Sequence, residues 1–516
     1  MKNIFNSWRR DLPASIVVFF VALPLCLGIG LASTSVNGIP PMPLSGLISG
    51  IIGGVIVGLI SNSRLGVSGP AAGLITVVLS SITLLGSFEF FLSAVMLAGV
   101  FQLLFALLRA GIIANYLPSG VIKGMLAAIG ITLILKEIPH LIGYDKDYIG
   151  DESFLQNDGH NTLSELLYAV KALDPGIAII GLFSLGLIFL FDLPVFKKAR
   201  IFKFIPAILW VIILGTLMNI LFASSGVSLE IAKEHMVQIP EISSIQQLLA
   251  QLHFPALEAF TRTEVYWVAL TIAAIASLET LLSVEAIDRL DPKKSITNPN
   301  RELLAQGVGN FFTGLIGGIP VTQVIVRSTA NLNSGGESKS SAILHGFWLL
   351  LAILLFAPFL NKIPLATLAA ILISVGYKLT NFNLIKNQFS KGWDQFIPFF
   401  VTIIAILFTD LLKGIGIGLV VAIFYIIKKN FSGNHEVIKG EKEVEISFGE
   451  HVNFLNIASI KNTLRNLPDG SAVCINTERS KSLDFDIREL LLDFTEVTSK
   501  SRNIQVRWVG DQFKKQ

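Results

Sequence analysis

The chain has 516 residues, of which 52% are hydrophobic and 15% charged, with a formal net charge of +3 and a mean hydropathy of +0.66. Soluble domains carry about a quarter charged residues, so water is not this chain's main solvent, and its apolar runs are too long and too many for separate globular cores. Basic residues lie between apolar segments rather than in a block, which argues against a nucleic-acid partner, and Cys26 and Cys474 offer neither a disulfide framework nor a metal-ligand spacing.

Lys2, Arg9 and Arg10 precede an apolar stretch over 13–32. At roughly 20 residues it exceeds a secretory h-region, and it reads as a first spanning helix. Further spans are expected near 43–60, 89–109, 117–136, 175–194, 205–223, 264–285, 341–360, 393–411 and 414–427. Shorter apolar pieces near 70–83, 302–316, 321–332 and 364–377 bring the total to about fourteen. An even count places both termini on one side. The positive-inside rule makes that side cytoplasmic: the loops 196–204 (Lys197, Lys198, Arg200, Lys203), 289–301 (Lys293, Lys294) and 378–391, and the pair Lys428–Lys429, then face inward. The loop 137–174 faces outward, with Asp145, Asp147, Asp151, Glu152 and Asp158 against Lys146 and Lys171. A plasma (inner) membrane protein with cytoplasmic termini is the expectation.

Two Gly/Pro-broken segments occupy matching places in the two halves, Gly66–Gly73 and Gly317–Gln323. Their prolines, Pro70 and Pro320, are 320 − 70 = 250 positions apart, and the apolar runs that open the halves are about 251 apart. Matching interruptions are the mark of an inverted-repeat transporter, and seven spans per half would invert the second repeat. A half-helix after Pro70, bearing the N–H groups of Ala71, Ala72 and Gly73, would then oppose one after Pro320. Two positive helix ends meeting inside a membrane make an anion site; kinked packing helices are the plainer alternative.

Arg327 lies within the second short segment, where a cation needs an aqueous cavity or a partner. Thr322 and Gln323 offer neutral donors to the same place, or satisfy loop carbonyls. Glu279 lies inside the apolar run 273–282 and could carry a proton, ligate a cation with Ser283 one turn on, or neutralise Arg327. Glu285 and Asp288 fall near the cytoplasmic end of that helix, and His345 reads as a hydrogen-bonded core residue. After Lys429 the composition turns polar: strands are expected at 444–448, 473–476 and 504–509 and helices at 457–467 and 487–498. The expected domains are therefore 1–430, all-α and membrane-embedded, and 431–516, a small α/β cytoplasmic unit.

These residues resemble the SulP anion transporters, relatives of the solute carrier 26 exchangers, over nearly the whole chain. The resemblance rests on Asp11-Leu-Pro, Ala22-Leu-Pro24, Gly69-Pro70, Glu279-Thr-Leu-Leu-Ser283 with Asp288, Asn300-Arg-Glu-Leu303 and Gln306-Gly-Val-Gly-Asn310. It continues through Gly317-Gly-Ile-Pro-Val-Thr322, Arg327-Ser328 and Ser334-Gly-Gly336, and the tail resembles a STAS domain. The resemblance implies fourteen spans in a 7+7 inverted repeat, a core domain moving against a gate domain, and a homodimer in the lipid bilayer. It places the anion between the third and tenth helices, with Gly69, Pro70, Ala71, Ala72, Thr322, Gln323, Val326 and Arg327 as substrate-site positions. Ala71 and Val326 would present backbone N–H groups, and Glu279 with Ser283 would be the coupling position. Family substrates include sulfate, bicarbonate, chloride and some carboxylates, with Na⁺, H⁺ or a counter-anion coupled and no other cofactor or metal. This chain departs from the pattern at Leu25, Ile29 and Ala71, and Gln323 is a candidate replacement for the amide missing at Leu25. The segment Ser482–Asp486 lacks the serine phosphorylated in soluble anti-sigma antagonists. The tail also resembles that of bacterial bicarbonate transporters associated with carbonic anhydrase, a pointer to bicarbonate and to that functional partner. A passive anion channel and a nucleobase or dicarboxylate transporter of the same architecture are the competing readings; a membrane enzyme is disfavoured by the lack of a nucleophile–base pair or phosphate loop.

Overall fold

The structure is a computed structural model that describes residues 7–36, 42–149, 151, 154–155, 160–194, 206–225, 229, 231–239, 246–247, 251–380, 382–431, 435–440 and 443–510. The basic loop 196–204, Glu152 and Asp158 lie outside the described residues. The chain divides into two compact units, Met1–Leu419 and Val420–Gln516.

Fourteen helices follow the predicted spans among the described residues. The first half holds α1 (Trp8–Thr34), α2 (Pro43–Ile60), α3 (Ala72–Leu85), α4 (Phe88–Leu107), α5 (Ser119–Leu141), α6 (Pro175–Asp192) and α7 (Ala207–Ser225). The second half holds α8 (Thr263–Leu290), α9 (Pro299–Ile316), α10 (Ile325–Asn333), α11 (Ser340–Leu360), α12 (Leu365–Leu379), α13 (Trp393–Phe408) and α14 (Leu411–Phe431). Among the described residues, eight apolar helices are long enough to cross a bilayer unaided. Helix α10, with nine residues, rises only about 14 Å and cannot cross the roughly 30 Å hydrocarbon core. Between α2 and α3 runs strand β1 (Ser68–Pro70), and between α9 and α10 runs β2 (Val321–Gln323).

The helices sort into two bundles by what they pack against. Helices α1–α4 and α8–α11 form one, led by α9 on α4 and by α1 on α11 and α2; α5, α6, α7, α12 and α13 form the other, led by α12 and α13 on α5. Each bundle therefore draws on both halves of the chain, as an inverted repeat requires.

Two sequence expectations are corrected here. The second half-helix starts at Ile325, five residues beyond Pro320, because Val321–Gln323 is committed to strand pairing. The repeat offset at the strands is 321 − 68 = 253, so Pro70 corresponds to Gln323 and not to Pro320.

The proximal end of α1, its N-terminal end, is clamped to the segment joining α10 to α11. Asp11 is buried and accepts from the backbone N–H groups of Glu337 (2.7 Å) and Ser338 (3.0 Å) and from the Ser338 hydroxyl (2.5 Å). Arg64 ties the α2–β1 loop to Asp291 and to the Glu337 carbonyl.

In the second unit, strands β3 (His435–Lys439), β4 (Val444–Phe448), β6 (Ala472–Asn476) and β8 (Gln505–Val509) form one sheet in the order 3-4-6-8; the short β5 (His451–Val452) and β7 (Ser482–Leu483) pair separately. Only β3–β4 is antiparallel within the main sheet. Helices α15 (Ile457–Arg465) and α16 (Phe485–Asp493) supply Ile460, Leu464, Ile487 and Leu491 to a core that includes Ile446, Phe448, Val473 and Ile475. This α/β layout is compatible with a STAS-like module; edge strand β3 was not anticipated, since its alternation is short and weakly apolar.

Replacing Asp11 with alanine removes the acceptor for two buried backbone donors, each worth about 1–3 kcal/mol when left unpaired. The variant is expected to unfold at a lower temperature in detergent; an unchanged midpoint contradicts the clamp.

Candidate functional site

Helix α2 ends at Ile60 and Gly69–Pro70 keep the chain non-helical before α3, while Gly317, with a positive φ, ends α9 and Pro320 keeps the chain non-helical before α10. Irregular backbone inside a membrane must find partners within the protein. The two breaks supply them to each other: β1 pairs antiparallel with β2, Ser68 opposite Gln323, Gly69 opposite Thr322 and Pro70 opposite Val321. Each strand feeds a helix, so antiparallel pairing sends α3 and α10 in opposite directions with their first turns toward the crossing. Their N-cap residues, Ala71 and Val324, are extended and provide no side-chain cap. First-turn N–H groups lack intrahelical partners and carry the positive end of the helix dipole.

The sequence-predicted residues gather here, with differing orientations. Gly69, Pro70, Ala71, Thr322, Gln323, Val326 and Arg327 are buried, and Ala72 is half-buried. Arg327, 1% exposed, extends behind the crossing strands. Its Nη2 donates to the Pro70 carbonyl at 3.4 Å, and its Nη1 packs on Gly69 so closely that a β-carbon there has no room. Its Nε and Nη1 have no hydrogen-bond partner among the described residues. Cys26 of α1 also contacts the guanidinium.

Glu279 approaches a different part of the crossing. It is 6% exposed, and an ideal β-carbon on Gly73 would lie 3.3 Å from its Oε1, which places the carboxylate against the first turn of α3. Ser283 is buried one turn further along α8, and Thr280 accepts from the Gln323 backbone N–H at 3.3 Å. The Gln323 side chain packs instead on Gly66 and Ser63, on the α2 side of β1, and its amide atoms have no partner among the described residues. The Thr322 hydroxyl likewise has none. Leu25 and Ile29 are buried on α1, which packs on β1, α3 and α10.

A polar face of α9 holds the crossing in place, and sequence reasoning gave it no role. The Asn310 side chain accepts from Val321 N–H at 2.6 Å and donates to the Val321 carbonyl at 2.9 Å, so its amide acts as a third strand beside β2. It also donates to Gln102 of α4 at 2.7 Å, and Gln102 donates to Ser277 of α8 at 3.2 Å. One turn earlier, Gln306 donates to Ser68 of β1 at 2.8 Å; Glu302, a further turn back, accepts from Ser61 at 2.6 Å. The spacing 302, 306, 310 puts all three on one helix face, and buried polar side chains on one face of a membrane helix are the signal that could have found them.

Two cavities flank the crossing along α1. A proximal one of about 330 Å³ touches Arg9, Arg10, Pro13 and Val17 of α1, Asn333–Gly335 after α10, and Lys378 of α12. A distal one of about 180 Å³ touches Pro24, Leu27, Gly28 and Leu31 of α1, together with His140, Asp145 and Asp147. The α1 segment between them, Val18–Leu23, is buried. From Val17 to Pro24 is about 10 Å of helix, which separates the linings of the two cavities along α1.

Asn310→Leu removes both partners of the Val321 peptide, a loss of about 2–5 kcal/mol for two buried groups. The expected outcome is a lower thermal midpoint together with weakened anion binding; a midpoint equal to the parent's contradicts the bracing role.

Residues 8–405 match the sulfate permease family. YvdB of Bacillus subtilis, provisionally named a sulfate transporter, is 28% identical over 426 residues, covering 82% of this chain and 74% of that one. The transmembrane domain of a cyanobacterial bicarbonate transporter, BicA, superposes with a TM-score of 0.55 at 25% identity, covering 81% of this chain and 98% of that domain. The murine anion transporter Slc26a9, solved in an inward-facing state, superposes with a TM-score of 0.67 over 97% of this chain at 16% identity and so shares the fold. The match spans most of the membrane unit, including β1, β2 and the helices that carry Glu279 and Arg327, and by it the chain belongs to the sulfate permease family.

Proposed function

We propose that this protein is a secondary transporter that carries a small inorganic anion of the sulfate or bicarbonate class by alternating access. The observation that carries the reading is the pair of uncapped helix starts set toward each other by β1–β2, with the buried, partly hydrogen-bonded Arg327 guanidinium behind them. Backbone N–H groups of Ala71, Ala72 and Val326 hold the anion, and Arg327 acts mainly as a buried positive charge. Such a charge is worth far more in a low-dielectric site than in water.

Glu279 gives the coupling. Its carboxylate lies against the helix turn that the anion needs, so two negative charges compete for one positive helix end. A proton on Glu279, or Na⁺ held by Glu279 and Ser283, relieves that repulsion and raises anion affinity. By linkage the anion raises affinity for the cation equally. The two separately lined cavities along α1 support alternating access over a passive pore, in which they would be continuous.

The proposal includes a plasma-membrane location with both termini cytoplasmic, which makes the proximal cavity the inner one, and a homodimer. Bicarbonate as substrate would connect the protein functionally to carbonic anhydrase, and the names of the relatives support sulfate and bicarbonate alike.

Proteoliposomes loaded with purified protein should accumulate labelled sulfate or bicarbonate when a Na⁺ or proton gradient is imposed, and Glu279→Gln should abolish the gradient dependence. Arg327→Gln should weaken anion affinity about tenfold or more, that is by at least about 1.4 kcal/mol. Gradient-driven accumulation retained in Glu279→Gln removes that residue from coupling. No accumulation of either anion under any gradient overturns the inorganic-anion reading in favour of carboxylates or a passive conductance.

A further inference from the structure

The loop 142–149 that follows α5 lines one side of the distal cavity. Its Ile149 backbone lies so close on α1 that only glycine fits at position 28, and the Tyr148 hydroxyl is 3.3 Å from the Ser35 hydroxyl at the end of α1. The loop therefore spans from the bundle containing α5 to the bundle containing α1, across the mouth of the cavity that Pro24, Leu27 and Leu31 line.

Several contacts hold this loop from behind, among them Lys136 with Asp147 at 3.3 Å and the Asp174 N–H on the Ile142 carbonyl at 3.1 Å. Asp145, in the middle of it, receives His140 Nδ1 of α5 at 2.5 Å on one carboxylate oxygen and His235 Nδ1 at 2.6 Å on the other. His235 lies on the segment 231–239, which is itself fixed: Val237 donates to the Ile363 carbonyl at 3.0 Å, and Ile239 exchanges hydrogen bonds with the Asn361 side chain. Asp145 thus joins the end of α5, the loop 142–149 and the strap 231–239 through two imidazoles.

We propose that His140, Asp145 and His235 form a proton-operated latch that keeps the loop 142–149 seated over the distal cavity and releases it as the imidazoles lose their charge. The charged groups facing the latch are mostly acidic. Glu137 lies on α5 itself, Asp147 on the loop, Glu165 on the short helix Thr162–Lys171, Asp174 at the start of α6, and Glu234 on the strap, 3.7 Å from His235 Nε2. Lys136 opposes them and is paired with Asp147 at 3.3 Å. In this setting a protonated imidazole is the charge that keeps the carboxylates together, and its loss leaves like charges facing each other.

The directions of titration agree. His235 is raised above 6.5, chiefly by its hydrogen bond to Asp145. Asp145 is lowered below 3.8 despite its burial, by its bonds to His140 and His235. A raised imidazole stabilises the seated loop at low pH and ceases to do so as pH rises through its folded value. A depressed carboxylate stabilises it at high pH and ceases to do so as pH falls through its own. The latch is therefore at full strength between 3.8 and 6.5, weakens on the acid side only as Asp145 takes up a proton below 3.8, and opens on the alkaline side as the imidazole loses its charge above 6.5.

Hydrogen exchange of the full-length protein in detergent tests this directly, because both faces then meet the same pH and transport is not needed. After correction for intrinsic exchange, amides of 142–149 should lose protection at least tenfold between pH 6 and pH 9, while α4 stays unchanged. In Asp145→Asn the same amides should be weakly protected at both pH values, and in His235→Gln the pH step should shrink or vanish. Protection of 142–149 that is independent of pH in the parent protein overturns the proposal. So does a pH step of full size in both variants.

Discussion

Everything at the centre of this membrane unit depends on three residue pairs of antiparallel backbone, Ser68–Pro70 against Val321–Gln323. Broken helices within a bilayer leave N–H and C=O groups that lipid cannot satisfy, so each interruption is tolerable only because the other is beside it. The same pairing dictates function. Strands that run in opposite senses start helices that run in opposite senses, and two helix N-termini then converge on one point from the two halves of the chain. An anion is the ligand that such a point favours.

The charges arranged around that point follow from the same geometry. Arg327 occupies the third position of α10, yet its long side chain passes behind β1, where the absence of a side chain at Gly69 admits it. Glu279 comes from α8 to the first turn of α3. In the proposed mechanism, positive charge behind the crossing and negative charge at its rim make affinity for an anion depend on what neutralises the rim. The amides of Gln306 and Asn310 keep the strands in register without adding charge, so they brace the site while leaving its electrostatics to Arg327, Glu279 and the helix ends.

Much of this was legible in the sequence, for identifiable reasons. Spans were visible because bilayer thickness imposes a length on apolar runs, and the half-helices because glycine and proline mark where a helix must stop. The register was not: Pro70 and Pro320 mark the breaks, but backbone pairing sets the offset at 253. The direction of Gln323 was hidden for a related reason, since in a strand the pairing decides which face a side chain takes, and here that face meets Gly66. Asn310 and Gln102 are 208 positions apart, and His140 and His235 are 235 − 140 = 95 apart. No local spacing announces such partners, and only the packing of the bundles brings them together.

The most direct measurement of the central claim is anomalous diffraction from crystals of the full-length protein soaked separately in selenate and in bromide. The account predicts an anion peak between the first turns of α3 and α10, within hydrogen-bonding reach of the N–H groups of Ala71, Ala72 or Val326. Anion peaks found only elsewhere, with none at the crossing in either soak, would contradict it.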